Sequence, residues 1–167
     1  MGDYALRPFT AADLPMMAQW LATPAVRDGW GDPATALALV TAALANPLMD
    51  QRICCHDGMP FGYVQSCPCA GWDAPQFHDQ PEDAHAMDAC IGVPAMLGHG
   101  HGTAMVRLYA ETLLAGGAPT VVIDPDPANL RAIHAYRRAG FRDVAARPDQ
   151  DGHPVLVMRF DPAFLCS

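Results

Sequence analysis

The sequence predicts a mixed α/β fold, because strand-like runs and capped helices alternate along its 167 residues. Two features support this fold class. The run TVVI at 120–123 is short and apolar throughout, as strands buried in a parallel arrangement usually are. The pair Asp57-Gly58 stands between two apolar runs, which indicates a β-hairpin. The predicted order of elements is β-α-α-β-β-β-α-β-α-β-β.

The first part of the chain predicts one strand, two helices and the hairpin. Thr10 and Asp32 are residue types that cap helix N-termini, and Pro33 suits the first helical position. The predicted ranges are a strand at 4–9, helices at 10–22 and 33–45, and hairpin strands at 52–56 and 61–66.

The second part of the chain predicts strands that alternate with two further helices. Met105, Leu108, Tyr109 and Thr112 have helical spacing, and Asp126-Pro127 has the chemistry of a helix start. Residues 67–83 are rich in Pro, Gly and Asp, which predicts a long, flexible, acidic surface loop. The predicted ranges are strands within 84–93 and at 120–123, 142–146 and 155–160, with helices at 102–115 and 126–139.

The charge of the chain excludes one class of partner. It carries 18 acidic residues against 10 basic ones, a formal net charge of −8. The bases are all arginines and are scattered, so no basic face for nucleic acid is expected. An acidic surface attracts cationic small molecules, although acidity also serves solubility alone.

Other features of the sequence indicate a single cytoplasmic domain over residues 1–167. No apolar run is long enough to cross a membrane, and no secretory signal is expected. In the cytoplasm the six cysteines are expected to be reduced thiols. Two of them, with two histidines, have a spacing that fits no common zinc site, so no metal is predicted. The cysteines are Cys54, Cys55, Cys67, Cys69, Cys90 and Cys166, and the histidines are His78 and His85.

The stretch LGHGHGT at 97–103 is the first candidate binding motif. Three glycines precede a predicted helix, so backbone N–H groups and the positive end of the helix dipole can meet an anion such as pyrophosphate. The stretch fits neither the Walker loop nor the dinucleotide fingerprint. A plain flexible turn is the alternative. In a cradle of this kind, the side chains of His99 and His101 are expected to face outward.

The stretch IDPDPANLRAIHAYRRAGF at 123–141 is the second candidate motif. Asn129, Ile133 and Tyr136 fall on one face of the last predicted helix. An amide and a phenol on that face can contact the same ligand. The alternative for Tyr136 is a core aromatic whose hydroxyl reaches the rim.

These two motifs resemble the acetyl-CoA signature of the GNAT N-acetyltransferases. Within that superfamily the chain is most similar to the aminoglycoside 6′-N-acetyltransferases, through LRPFTAADLPMMAQWL, VRDGWGD, GMPFGYVQS, GWD and AMDACIG. The resemblance spans roughly residues 5–160. It implies a twisted, mixed central sheet of six to seven strands flanked by about four helices. Leu97 stands where the family usually has Arg or Gln, which removes one side-chain contact with the cofactor.

The resemblance implies that acetyl-CoA is the co-substrate and assigns residues to it. The glycine loop would bind the pyrophosphate, and the strand before it would bind the pantetheine arm with Asn129. The implied residues are Ile91, Gly92, Val93, Gly98, His99, Gly100, His101, Gly102, Thr103, Asn129 and Tyr136.

The resemblance also implies catalytic roles and an acceptor site. Asp88 would be the general base and Tyr136 the general acid. The acceptor would be lined by Trp30, Tyr63, Gln65, Trp72, Asp88 and Asp124. Asp88 is otherwise an exposed strand residue, Asp124 a helix-start signal, and Trp30 and Tyr63 core residues.

Three functions remain in competition. The first is acetylation of the 6′-amino group of aminoglycosides, with resistance as the outcome. The second is acyl transfer to a siderophore precursor or another small-molecule or protein amine. The third is a non-catalytic acyl-CoA-binding module. A cationic small molecule is the expected partner, without nucleic acid or membrane, and the protein is expected to be a monomer or homodimer.

Overall fold

The structure is a computed structural model that describes residues 2–166, without the side chains of residues 164 and 166. Within this part of the chain it has seven strands and five α-helices, which confirms the mixed α/β class. In chain order they are β1 (Tyr4–Pro8), α1 (Leu14–Leu21), α2 (Pro24–Trp30), α3 (Pro33–Ala43), β2 (Asp50–His56), β3 (Met59–Pro68), β4 (His85–Ile91), α4 (His101–Ala115), β5 (Val121–Ile123), α5 (Leu130–Ala139), β6 (Phe141–Pro148) and β7 (Pro154–Phe160).

All seven strands belong to one mixed sheet, in the order β1-β2-β3-β4-β5-β7-β6. Strands β1 and β2 are antiparallel. Strand β5 runs parallel to β4, with Val121 opposite His85, and antiparallel to β7. The prediction that TVVI forms a buried strand with a parallel neighbour is therefore confirmed, because all three residues of β5 are buried.

The chain divides into two compact units. One contains the residues up to 65 together with 89–105, and the other contains 66–88 together with the residues from 106 onward. Strands β3 and β4 each contribute one end to each unit. The expectation of one domain over the whole chain stays a prediction.

The first unit packs its three N-terminal helices around an apolar core. Met17, Leu21 and Ile53 are almost completely buried there. Helix α3 begins as predicted, because the Asp32 carboxylate accepts the backbone N–H of Thr35. Helix α2 was not predicted, since the short segment PAVRDGW contains a glycine and lacks a clear apolar period.

The predicted helix at 102–115 is confirmed as α4, His101–Ala115. Its buried residues are Met105, Val106, Tyr109, Ala110 and Leu113. Thr112, which shares the helical spacing of Met105 and Tyr109, is exposed and donates its hydroxyl hydrogen to the Leu108 carbonyl. A threonine can satisfy its hydroxyl within its own helix, so its position at helical spacing does not require burial.

The predicted start of the last helix is wrong. Asp126 does not cap α5; its carboxylate accepts the N–H of Ala128 and closes a turn ahead of the helix. The helix begins at Leu130, after Asn129, whose side-chain oxygen accepts the N–H of Ala132. Two capping signals compete in this segment, and the second one is used.

The acidic loop after β3 contains a buried segment near its middle. It contains two short 3-10 turns, at Cys69–Gly71 and Pro75–Phe77. Gln76 and Phe77 within the second turn are 1% and 2% exposed. The prediction of a flexible surface loop is therefore wrong for these residues, because their side chains are buried in the second unit.

Five cysteines of the described chain are free thiols, namely Cys54, Cys55, Cys67, Cys69 and Cys90. Burial raises the pKa of the Cys54 thiol to about 12. The side chain of Cys166 lies outside the described residues. Among residues 2–166, no helix has the length and apolar character that a membrane crossing requires.

Asp13→Asn tests the ion pair that joins β1 to the start of α1. The Asp13 carboxylate is buried and accepts hydrogen bonds from both Arg7 terminal nitrogens, at 2.9 and 2.8 Å. We expect a loss of about 1–2 kcal/mol in the free energy of unfolding near neutral pH, because the buried hydrogen-bond acceptor at position 13 loses its negative charge. The loss is not larger, because Arg7 is partly exposed and solvent screens its charge. Urea denaturation measures this loss.

The pH dependence of the loss follows from the depressed pKa of Asp13, which the Arg7 guanidinium lowers. The stabilisation is present above the unfolded-state pKa of about 3.9 and disappears as the pH falls through the lower folded-state pKa. The difference between Asp13→Asn and the parent should therefore shrink in acid. The control, Asp143→Asn, breaks a similar pair with Arg137 whose side chains are 46% and 43% exposed, and should cost less. Equal losses in the two variants would contradict a role for burial.

Candidate active site

The glycine loop lies between β4 and α4, as predicted. Gly98 and Gly100 have φ angles of 77° and 85°, in the left-handed region that glycine adopts without strain. Helix α4 begins directly after them, at His101. The first turn of an α-helix presents N–H groups without acceptors in the helix, at the positive end of its dipole. Residues 98–100 are exposed, so the loop has the geometry of an accessible anion site.

The side chain of His101 does not face outward, contrary to expectation. It is partly buried in an aromatic cluster, with its Nδ1 atom 2.7 Å from the Tyr4 hydroxyl. The His56 and His99 rings lie 4.8 and 6.5 Å away between centroids. Burial, followed by the charges of His56 and His99, lowers the pKa of His101. The features of this loop that suit an anion are therefore those of its backbone, because a charge on His101 is disfavoured.

Within the first unit, the segment that follows β4 packs closely against α1. Gly92 is buried, and a Cβ atom there would lie 2.0 Å from the Trp20 ring. Its N–H donates to the Phe61 carbonyl over 2.8 Å. A Cβ on Gly102 would meet Ile91 at 3.2 Å, so the first turn of α4 lies directly over the end of β4. Glycine at position 92 therefore leaves room for the Trp20 ring, and glycine at position 102 allows the close approach of two segments that were assigned to acetyl-CoA.

Three residues assigned to the acceptor site form a cluster in the first unit. The Trp30 and Tyr63 rings are 5.8 Å apart in an edge-to-face arrangement. Tyr63 is completely buried, and its hydroxyl donates to the Gln65 side chain and accepts from Gln51, both at 2.8 Å. Tyr63 is therefore a core residue in this structure, and it orients Gln65 instead of lining an open surface.

Two carboxylates come together in the second unit. Ala86 on β4 pairs with Val122 on β5. Asp88 and Asp124 each lie two residues after these partners. Burial first, and the charge of Asp88 second, raise the pKa of Asp124 to about 7. The side chain of Gln76 donates to Asp124 over 2.9 Å. Burial and the neighbouring acid therefore disfavour the ionised form of Asp124, while the Gln76 amide favours it.

The remaining assigned residues also lie in the second unit. Tyr136 is partly buried on α5, with its ring 6.1 Å from that of Phe141. Asn129 caps that helix. Trp72 is 36% exposed, and its ring meets Phe77 edge-on at 6.1 Å. Trp72 therefore presents an accessible aromatic surface in the acidic loop.

Sequence reasoning missed the residues that hold the site residues in place. The Gln76 side chain donates a hydrogen bond to Asp124, 48 residues away. The Gln51 side chain donates one to the Tyr63 hydroxyl, 12 residues away. Arg147 donates to the Gln76 carbonyl over 2.9 Å, across 71 residues. A local pattern of residue types cannot identify such partners, because their role depends on the tertiary fold.

Relatives of the chain are acetyltransferases. The sequence matches the acetyltransferase (GNAT) domain over residues 10–147. Aminoglycoside N(6′)-acetyltransferase type 1 from Klebsiella pneumoniae is 29% identical over 168 residues, which cover 95% of this chain and 84% of the relative. A kanamycin resistance protein from Rhizobium radiobacter is 35% identical over 79 residues, 47% of this chain and 73% of its own length.

Solved structures agree with this relationship. Aminoglycoside acetyltransferase AAC(6′)-Ib in complex with coenzyme A and kanamycin is 28% identical, with a TM-score of 0.85 and 99% of each chain covered. The same enzyme in complex with coenzyme A gives a TM-score of 0.86 at 28% identity, again with 99% of each chain covered. Because the family match spans most of the sequence, the chain belongs to the GNAT family of acetyltransferases.

Proposed function

We propose that the protein transfers the acetyl group of acetyl-CoA to the 6′-amino group of aminoglycosides. The observation that carries this proposal is the pair Asp88 and Asp124, two carboxylates close enough for the charge of Asp88 to raise the pKa of Asp124. Such a pair suits a substrate that carries several ammonium groups. The relatives named as aminoglycoside acetyltransferases support the same substrate class.

The glycine loop binds the cofactor in this proposal. Backbone N–H groups of residues 98–103 hold the pyrophosphate, and the dipole of α4 favours its charge. The backbone of Ile91–Val93 and Asn129 contact the pantetheine arm. Leu97 supplies no polar contact to the phosphates, so their binding depends on backbone groups.

Asp88 and Tyr136 carry out the proton transfers. An aliphatic amine is mostly protonated near neutral pH, and only its neutral form attacks a carbonyl carbon. Asp88 accepts the proton from the 6′-ammonium group, and the amine nitrogen then forms a bond to the thioester carbonyl carbon. The carbon–sulfur bond breaks, and the Tyr136 hydroxyl gives its proton to the departing thiolate of CoA. The nitrogen loses its second proton as the amide forms, and this proton replaces the one that Tyr136 has given up. Because an ordinary phenol is a weaker acid than a thiol, the transfer from Tyr136 to sulfur is slightly uphill in free solution, and the release of the proton from nitrogen offsets it.

Asp124 and the aromatic residues bind the acceptor. The Asp124 carboxylate pairs with an ammonium group of the aminoglycoside. Trp30 and Trp72 contact the apolar faces of the sugar rings. Gln65, which Tyr63 orients, donates or accepts a hydrogen bond at a sugar hydroxyl.

A panel of amines tests the proposed function. We expect mass spectrometry to detect acetylated kanamycin, and NMR to place the acetyl group on the 6′-nitrogen. A kanamycin analogue with a hydroxyl in place of the 6′-amino group is the matched control and should remain unmodified. Detection of the product itself avoids thiol reagents, which would react with the six cysteines.

Other outcomes of the panel favour the alternatives. Acetylation of a hydroxylamine or a peptide amine, with no acetylation of kanamycin, would indicate that the substrate is a siderophore precursor or another amine. Binding of acetyl-CoA without any acetylated product would favour a non-catalytic binding module.

Tyr136→Phe tests the general acid. We expect kcat to fall by about 10²-fold, because the thiolate would leave without a positioned proton donor. The affinity for acetyl-CoA, measured by calorimetry, should stay close to that of the parent. Tyr109→Phe removes a different hydroxyl of the second unit and should keep kcat. Full activity of Tyr136→Phe would exclude the acid role.

Asp124→Asn tests the pairing with the substrate cation. We expect KM for kanamycin to rise by about tenfold or more near neutral pH, because a charge-assisted hydrogen bond is lost. In the parent, the pKa of Asp124 near 7 means that the ionised, binding form increases as the pH rises through 7. The acidic limb of kcat/KM should therefore flatten in Asp124→Asn.

Asp126→Asn is the matched control for this variant. It makes the same change two residues away, on an exposed side chain that can still close its turn, and KM should not change. An acidic limb that is identical in Asp124→Asn and the parent would assign the limb to another group.

A further inference from the structure

Gln76 is a buried amide that hydrogen bonds to Asp124. Its side chain is 1% exposed, and its Nε2 atom donates to the Asp124 Oδ2 atom over 2.9 Å. Its Oε1 atom is buried without a hydrogen-bond partner among the described residues. A buried polar atom without a partner is unfavourable, so the contact with Asp124 is the polar interaction that accounts for an amide at this position.

The segment that carries Gln76 is anchored to β6. Arg147 donates to the Gln76 carbonyl at 2.9 Å and to both carboxylate oxygens of Asp79 at 2.8 Å. This guanidinium holds the pKa of Asp79 well below its usual range, so the pair remains charged at neutral pH. Phe77 next to Gln76 is buried in an apolar cluster with Val122. The backbone is therefore fixed on both sides of the amide.

The charged groups that act on Asp124 among the described residues are acidic. Asp88 on β4 and Asp149 in the turn after β6 both raise the pKa of Asp124 through their charges. The pKa of the Cys69 thiol is also raised, to about 11, first by burial and then by the charges of Cys67 and Asp124. Gln76 acts in the opposite direction, because its N–H group donates to the ionised carboxylate.

The chemical type of Gln76 matters for recognition of a cation. A lysine or arginine in its place would neutralise Asp124 and compete with an ammonium group of the substrate. An amide donates a hydrogen bond without cancelling the negative charge. It also fixes one carboxylate oxygen, which sets the direction of the other.

We propose that Gln76 is a positioning residue for Asp124: its amide, anchored through Arg147 and Asp79, orients the carboxylate and keeps it charged for the ammonium group of the acceptor. The role of Asp124 toward the acceptor rests on the proposed function. The hydrogen bond between Gln76 and Asp124 does not depend on it.

An NMR titration of the free protein tests the hydrogen bond directly. Aspartate carboxyl groups are labelled with carbon-13, and the signal of Asp124 is assigned as the one missing in Asp124→Asn. In Gln76→Met, which has a similar volume without the amide, we expect the titration midpoint of Asp124 to rise by about one pH unit or more. If Gln76→Met fails to fold, Gln76→Asn, which shortens the side chain by one methylene, should give a smaller rise.

Steady-state kinetics test the consequence for the acceptor. Gln76→Met should raise KM for kanamycin by about tenfold near neutral pH, and the ratio to the parent should narrow as the pH rises and Asp124 ionises in both proteins. The kcat at saturation and KM for acetyl-CoA should stay unchanged. Gln19→Met makes the same change on the exposed face of α1, away from the loop that carries Gln76, and should leave KM unaltered.

The two measurements separate failure of this proposal from failure of the proposed function. Identical Asp124 titrations in the parent and the Gln76 variants would overturn it, as would an equal rise in KM for Gln19→Met. If the protein acetylates no aminoglycoside, the proposed function is wrong and KM for kanamycin cannot test Gln76. The titration would then still decide whether Gln76 controls the charge of Asp124.

Discussion

The parallel pairing of β4 with β5 is the constraint on which the candidate site depends. Parallel neighbours cannot be joined by a tight hairpin, so the chain must leave the sheet and return through a crossover. That crossover consists of the glycine loop and α4, which gives the loop a helix N-terminus directly after it. The same pairing joins the strand that contains Asp88 to the strand that Asp124 directly follows. One topological requirement therefore accounts for both the position of the glycine loop and the proximity of the two carboxylates.

The parts of the fold that the sequence predicts correctly are those controlled by local chemistry. Asp32 and Pro33 define the start of α3, and Asp57-Gly58 joins β2 to β3 as the turn preference of these residues requires. The glycines at 98 and 100 predicted a loop between a strand and a helix, and both residues lie in such a loop directly before α4. Each of these features depends on a few consecutive residues, so neighbouring residue types contain the necessary information.

The errors arise where two local signals compete or where packing decides. Asp126 and Asn129 are both able to cap a helix, and only the folded chain selects Asn129. Tyr63 looks like an acceptor-site aromatic in the sequence, yet its ring is completely buried and its hydroxyl bridges two glutamines. His101 was expected to face outward, but Tyr4, 97 residues earlier, binds its ring nitrogen. The long separation of such partners is the physical reason that the sequence pattern did not reveal them.

The charge state of Asp124 links the stability of the fold to recognition of a cation. Because its folded-state pKa of about 7 exceeds that of an unfolded chain, ionisation of Asp124 removes stability as the pH rises from about 4 through 7. Gln76 reduces this destabilisation without neutralising the charge. In the proposed function, an ammonium group beside the carboxylate would remove most of it, and by linkage the bound cation would lower the pKa of Asp124. Acceptor binding near neutral pH is then coupled to release of a proton from the Asp124 carboxyl group. A cationic substrate relieves the unfavourable burial of this carboxylate and a neutral one does not, so the site favours the cation.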